Sequence, residues 1–220
     1  MKTLLSWSSG KDSAWSLHVL RQNPDFEIVG LVTTLNAALN RVAMHGVRRD
    51  ILEAQAMAAG LPLHVIELPW PCPNETYEQL MGTFVASQVA DGIAAMAFGD
   101  LFLEDIRRYR EQRLQGTGIR PVFPLWGRPS AELAKEMIAG WLVGHLCVAD
   151  PKKVPASFAG RRFDWSLLAD LPAGIDPCGE NGEFHTCVSA GPMFKRPLSL
   201  RVGETVERDG LAFADLELVT

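Results

Sequence analysis

The chain has no CxxC pair, no long apolar run and no excess of positive charge. Its four cysteines, Cys72, Cys147, Cys178 and Cys187, are scattered, which argues against a structural zinc site and fits a reducing cytoplasm. The apolar run in MKTLLSW is too short for the core of a signal peptide, and no stretch is long enough to span a bilayer. Net charge is −5, so a general nucleic-acid footprint is not expected, although a local basic patch stays compatible with it. Repeats and low-complexity segments are also missing. What remains is 220 residues of ordinary globular composition, 47% hydrophobic and 21% charged, enough for one large or two small domains.

The chain is organised around Thr3–Ser13, TLLSWSSGKDS. Thr3 to Trp7 reads as a buried strand and Ser8-Ser9-Gly10 as a tight turn, in which Gly10 is expected to supply a backbone geometry costly for other residues. From Lys11 the spacing of Ala14, Trp15, Leu17, His18 and Leu20 predicts a helix. Strand, small-residue loop and helix N-terminus together suit phosphate: loop N–H groups and the helix dipole point at the anion, and Lys11 adds a full charge. The stretch is not a Walker A loop, because Leu5 stands where its first glycine should be and Asp12 where Ser or Thr should follow the lysine. It is not a GxGxxG turn, since no second glycine is near. Asp12, beside a phosphate site, becomes useful if it holds Mg²⁺ or caps the helix.

SSGKDS resembles the PP-loop (SGGKDS) of the ATP pyrophosphatases, with Ser9 at the place of the first glycine. That resemblance implies cleavage of ATP between its α and β phosphates.

Further strands are expected at Glu27–Leu35, Pro62–Leu68 and Ala94–Phe98. Helices are expected at Val47–Ala59, at Asn74 (as N-cap) to about Ala90, at Leu101–Leu114, and from a Ser130 cap to about Leu142. Arg120–Trp126 carries two prolines and reads as an extended or edge segment. The alternation predicts βαβ units: an α/β fold with a Rossmann-like parallel sheet, of the PP-loop or adenine nucleotide alpha hydrolase type given the loop's resemblance. Sites in such sheets lie beyond the carboxyl ends of the strands. Ser8–Ser13, Thr33-Thr34-Asn36 and Gly99-Asp100 fall there. Past residue 140 the texture changes to short strand-like runs, with turns at Gly203 and Asp209-Gly210. The expected organisation is an ATP-binding domain over 1–140 and a smaller α+β acceptor-substrate domain over 141–220.

Cys178–Thr186, CGENGEFHT, gathers two glycines, two carboxylates, an asparagine, a histidine and a threonine around Phe184. Composition alone reads it equally as a ligand loop or as a solvated turn entering a strand. It resembles the GEGGEFET-like motif of the diphthine–ammonia ligase family, a branch of the PP-loop enzymes: Gly179-Glu180, Gly182-Glu183-Phe184 and Thr186 match, Asn181 replaces a glycine and His185 a glutamate. FGDLFLEDIRRYRE (Phe98–Glu111) and PVFPLWG (Pro121–Gly127) resemble two further family segments, in the same order.

The resemblance implies a ligase that uses ATP and Mg²⁺ to adenylate a substrate carboxylate, releasing pyrophosphate, after which ammonia displaces AMP to form an amide. Carried over, Ser8, Ser9, Gly10, Lys11, Asp12 and Ser13 hold the phosphates, with Thr33, Gly99 and Asp100 completing the nucleotide site. Lys11 and Asp12, with Glu183 and His185 facing the acceptor or ammonia side, form the catalytic set. Asp12 and Asp100 are the metal candidates. Glu104, Asp105, Gly179, Glu180, Asn181, Gly182, Glu183, Phe184 and Thr186 are the acceptor-site candidates. The partners implied are ATP, ammonia, taken free, and a carboxylate-bearing small molecule or protein; no membrane or nucleic acid is expected, and a homodimer is the commonest arrangement. The competing readings are PP-loop chemistry on RNA, which the acidic charge and the missing cysteine pair argue against, and a nucleotide sensor without turnover.

The default for the remaining groups is structural. His45 reads as a cap or surface group, His18 and His64 as structural, and Arg107, Arg108, Arg110 and Arg113 as a solvated helix face. Cys178 is the one cysteine whose position suggests chemistry, with a small buried side chain as the default.

Overall fold

The computed structural model describes residues 1–219. Strand β1 (Lys2–Ser6) buries Thr3, Leu4 and Leu5 in succession, as a strand covered on both faces must. It pairs in parallel with β2 (Glu27–Asn36) on one side and with β5 (Ala95–Ala97) on the other. Beyond them β2 pairs in parallel with β4 (Leu63–Leu68), and β5 with β6 (Arg120–Val122). A two-residue strand, β3 (Arg41–Val42), lies antiparallel on the far end of β2.

The chain therefore moves outward from β1 to β2 and β4, then returns to β5 on the opposite side of β1. The strand order reverses between β1 and β5, and in such sheets the binding crevice opens there, outside the carboxyl ends. Ser8–Ser13 follows β1 and Gly99-Asp100 follows β5. The two ends touch: a Cβ on Gly99 would lie 3.0 Å from the Asp12 carbonyl carbon and 3.0 Å from the Ser13 nitrogen.

The connections are α1 (Lys11–Arg21), α2 (Arg49–Ala59), α3 (Asn74–Ala90) and α4 (Glu104–Leu114), followed by α5 (Ser130–Ala139). Helices α2 and α4 start two and three residues later than periodicity suggests, and α5 stops three short of Leu142. Asn74 and Ser130 are first helical residues rather than caps; Pro73 and Pro129 occupy the cap positions, where a fixed φ near −60° already gives the extended entry.

The second sheet is antiparallel, in the order β8 (Phe184–Ala190), β7 (Val143–Ala149), β10 (Leu211–Leu218), β9 (Leu200–Arg208). A short helix, α6 (Trp165–Asp170), begins on Asp164, whose side chain accepts from the Leu167 N–H. Gly203 is not a turn. It lies inside β9, where Gly203 and Glu204 together oppose Asp215, a bulge. Asp209-Gly210 does turn, both at positive φ.

One hydrophobic cluster runs through both sheets, from Leu5, Trp7 and Leu17 to Leu146, Val188 and Ala212. A second, with Leu4, Val32, Val85, Met96 and Phe98, fills the other face of the parallel sheet beneath α3. Burying the two sheets against each other is what brings β8 onto the loop after β1. Among the described residues, no helix is long and apolar enough to cross a membrane.

Candidate active site

The loop after β1 is fixed from below by a buried glutamine. Gln55 of α2 accepts from the Trp7 indole at 2.9 Å and donates to the carbonyls of Val188 (2.7 Å) and Ser9 (3.2 Å). The Val188 N–H of β8 also donates to the Ser9 carbonyl, at 2.9 Å. Within the loop the Ser8 and Ser13 hydroxyls lie 3.3 Å apart, and the Ser13 hydroxyl donates to the Gly10 carbonyl at 3.0 Å. The expectation for Gly10 needs correction. Its φ is −87°, open to any residue, and Ser9 is the left-handed position at φ 71°. Gly10 is instead a close-approach glycine: a Cβ there would sit 3.2 Å from the Thr186 carbonyl oxygen and 3.3 Å from His45 Cε1.

Lys11 is buried, with 2% of its surface exposed. Its ammonium donates to Asp12 at 2.8 Å and to the Cys178 carbonyl, and lies over the rings of Phe184 (5.6 Å) and Phe163 (5.8 Å). Its backbone N–H donates to the Thr186 hydroxyl at 3.0 Å. Burial lowers the ammonium's pKa, but Asp12, Cys178 and Glu180 outweigh it and the net shift is upward, so Lys11 stays a cation. The other Asp12 oxygen, Oδ1, is buried without a partner.

The glycine-rich loop closes over this cation. Gly179 and Gly182 hold φ of 69° and 80°, and a Cβ on Gly179 would come within 2.8 Å of the Phe184 carbonyl oxygen. Glu180 accepts from the Leu101 N–H at 2.8 Å. Burial, reinforced by Asp12 and Asp100, pushes its carboxyl up to about 7 against the pull of the Leu101 N–H and Lys11. Phe184, His185 and Thr186 already belong to β8, so the motif is two-thirds loop and one-third strand.

The sequence candidates thus divide. Ser8–Ser13, Gly99, Glu180, Phe184, His185 and Thr186 come together around Lys11. Glu183 is buried and holds its own loop, one oxygen accepting from the Asp176 N–H and the Asn181 amide, both at 3.2 Å, while Oε2 has no partner. Asn181 in turn receives Lys153 on its carbonyl, at 2.7 Å. Asp100 is gripped through both oxygens by Arg110 at 2.6 and 3.2 Å. Thr33 is buried in β2, one residue past the level of Ser6. Glu104 and Asp105 are exposed in the first turn of α4. Among the described residues no group of three or more His, Cys, Asp and Glu could hold a metal ion.

Two structural defaults change, and that of Cys178, a small buried side chain, holds. His45 is no surface group: its ring lies 4.4 Å from that of His185. Arg110 stacks on Phe98 at 4.5 Å, and Arg107 lies over Phe123 (4.9 Å) and Trp126 (4.6 Å), so two of the four arginines are packed rather than solvated. Cys178 contributes its carbonyl; its thiol donates to the Ser130 carbonyl at 3.4 Å and burial pushes it up to about 12. Gln55 escaped the sequence reading, although it falls four residues after Ile51, on the face that periodicity buries.

Two family models match the chain. The model of the diphthamide synthase N-terminal domain matches residues 1–121, and that of the C-terminal domain matches residues 131–215. The chain belongs to the diphthamide synthase family. Family relatives include a diphthine–ammonia ligase of Danio rerio, 27% identical over 236 residues, covering 94% of this chain and 89% of the relative. That of Rattus norvegicus is 26% identical over 149 residues (65% and 55%), and that of Homo sapiens 24% over 177 residues (74% and 66%). The chain thus spans about half the length of several of the family relatives that it matches.

Proposed function

We propose that this chain is an ATP-dependent amide ligase that binds ATP at Ser8–Ser13 and activates a carboxylate held at the second loop. One observation carries the reading: Lys11 joins the two motifs, its backbone N–H bonded to Thr186 and its ammonium to the Cys178 carbonyl.

The chemistry proceeds in two displacements. An acceptor carboxylate oxygen attacks the α-phosphorus, the bond from that phosphorus to the bridging oxygen breaks, and pyrophosphate leaves. Ammonia then attacks the acyl carbon, AMP leaves with its electron pair, and the nitrogen gives up one proton, leaving the amide. The protein's part is to position and to stabilise charge, with no covalent enzyme intermediate. Lys11 offsets the charge that builds at the α-phosphate. The first-turn N–H groups of α1 and the hydroxyls of Ser8 and Ser13 hold the polyphosphate. Glu180, whose carboxyl is pushed up to about 7, keeps a protonated fraction at neutral pH that can meet an acceptor carboxylate without repelling it. Glu183 and Asn181 keep the glycine-rich loop in shape.

Mg²⁺ ordinarily binds through one or two carboxylates together with substrate phosphates. The unpartnered Asp12 Oδ1 fits that role, whereas Asp100 is already committed to Arg110. The ion's contribution is to neutralise phosphate charge. The relatives' names point to diphthine and ammonia as substrates; here His185 and Asn181 depart from the family motif, so the acceptor pocket is the part to assay openly. Four unpaired thiols favour a cytoplasmic setting.

The test is Mg-ATP labelled at the α-phosphate, with ammonium and with or without cell extract. AMP and pyrophosphate, raised by extract and reduced at least about 100-fold in Lys11→Met, support the ligase. ADP as product overturns cleavage between α and β. Nucleotide binding without AMP under every condition replaces the ligase by a sensor.

A further inference from the structure

Two imidazoles lie directly on the phosphate loop. His45 comes from the connection between β3 and α2, His185 from β8, and their rings are 4.4 Å apart at a tilt of 35°. A Cβ on Gly10 would lie 3.3 Å from His45 Cε1, so the ring faces the loop at close range, and His45 Nδ1 is buried with no partner. The connection that carries His45 is clamped. Arg41 bonds both the Gly46 carbonyl (2.8 Å) and Asp215 (3.0 Å), Arg48 bonds Asp215 as well, and Gly46 packs on Phe213. The ring is therefore held on the loop by the second sheet.

The charges around the pair all bear on one question, its protonation. Burial keeps His185 down at about 4 and His45 well below its ordinary value, with Lys11 acting on both and His185 on His45. The Thr186 backbone works the other way on His45. Arg41 of β3 and Arg48 at the end of the connection are tied to Asp215. Without an anion in the loop both rings are neutral. A polyphosphate beside Gly10 reverses the local field and favours one imidazolium, and rings this close cannot both take a proton.

We propose that His45 and His185 form a proton-accepting element of the nucleotide site, taking up one shared proton when a polyphosphate occupies the loop. This rests on the nucleotide reading above and adds a specific consequence. Where the family motif puts a glutamate, this chain puts a group that can turn positive, so nucleotide binding is favoured by acid.

The test is calorimetry with the Mg²⁺ complex of α,β-methylene ATP, which resists cleavage, in buffers of different ionisation enthalpy. Wild-type protein is expected to take up close to one proton per nucleotide beyond the uptake that Glu180 contributes, which Glu180→Gln protein measures separately. Its affinity should rise as pH falls from about 8 to 6, by at most about tenfold per pH unit. His45→Gln and His185→Gln should each lose the pair's proton, and the uptake by the nucleotide itself and by Glu180, whose carboxyl stands at about 7, is what remains in the double variant. Carbon NMR of the histidine Cε1 positions in wild-type protein, with and without nucleotide, reports the same proton without any substitution. Binding with no proton exchange, or imidazoles that stay neutral, overturns the inference and leaves the nucleotide site standing. No binding at any pH overturns both.

Discussion

The Lys11 backbone N–H donates to the Thr186 hydroxyl at 3.0 Å, and the two residues stand 175 positions apart in the chain. Both are buried, with exposures of 2% each. This bond satisfies one of the first-turn N–H groups that a helix cannot satisfy itself, and it does so from the other sheet. Thr186→Val keeps the shape and removes the acceptor. It should destabilise the protein by about 1–3 kcal/mol and weaken nucleotide binding in parallel. Urea unfolding and nucleotide titration check this; unchanged stability would mean that the bond does not hold the loop.

Ser9 sits at φ 71°, with its hydroxyl buried and unpartnered. A left-handed conformation is costly for an L side chain and nearly free for glycine. Ser9→Gly should therefore stabilise the protein by about 0.5–1 kcal/mol, raising Tm by roughly 1–4 °C. A fall in Tm would show that the serine hydroxyl contributes something beyond its strained backbone.

Much of the frame around these residues can be read directly from the chain. The strand, loop and helix at Thr3–Ser13 follow from local composition, and the alternation of elements puts Ser8–Ser13 and Gly99-Asp100 at strand ends. The reversal of strand order that makes those ends one crevice is a pairing property. So is the Gln55 bridge, whose partners lie 48 and 133 positions away. His45 reads as a surface group for the same reason: nothing local marks a ring that packs on another in the second sheet. CGENGEFHT was ambiguous between ligand loop and turn because it is both. Glu183, Gly179 and Asn181 build the turn, while Glu180, Phe184 and Thr186 face Lys11 and its loop. Arg107 and Arg110 lie in a charged, mostly exposed helix, and no periodicity announces that their guanidinium planes cover Phe123 and Phe98.

Thiol reactivity offers a simple check on how tightly the second loop closes. Cys147, Cys178 and Cys187 are buried, and burial pushes Cys147 and Cys178 up to about 12 and Cys187 well above its ordinary range. Only the part-exposed Cys72 should react quickly with an aromatic disulfide reagent at pH 8, the other three following in denaturant. A second fast thiol, mapped to Cys178, would mean that the loop over Lys11 opens readily.

Glu180 gives stability a pH dependence with a definite sign. Its carboxyl stands at about 7 in the folded protein against an ordinary 4.5, chiefly because it is buried. Between those values the folded state keeps a proton that the unfolded chain has released, so stability falls as pH rises from 4.5 towards 7, and the full penalty is present above 7. Glu180→Gln removes the charge and keeps an oxygen for the Leu101 N–H. Wild-type and variant proteins should be equally stable near pH 4.5, with the variant more stable at pH 8 by about 1–2 kcal/mol, a figure discounted for partial exposure to solvent. Thermal unfolding across that range decides it. A polyphosphate in the loop adds negative charge near Asp12 and Glu180 and raises the Glu180 pKa further. The nucleotide complex of wild-type protein should then hold the carboxyl protonated at pH 7, and the variant's advantage at pH 8 should grow when nucleotide is present. An advantage that stays constant from pH 4.5 to 8 would show instead that Glu180 is already ionised in the folded protein and that its contact with Leu101 is an ordinary charged hydrogen bond.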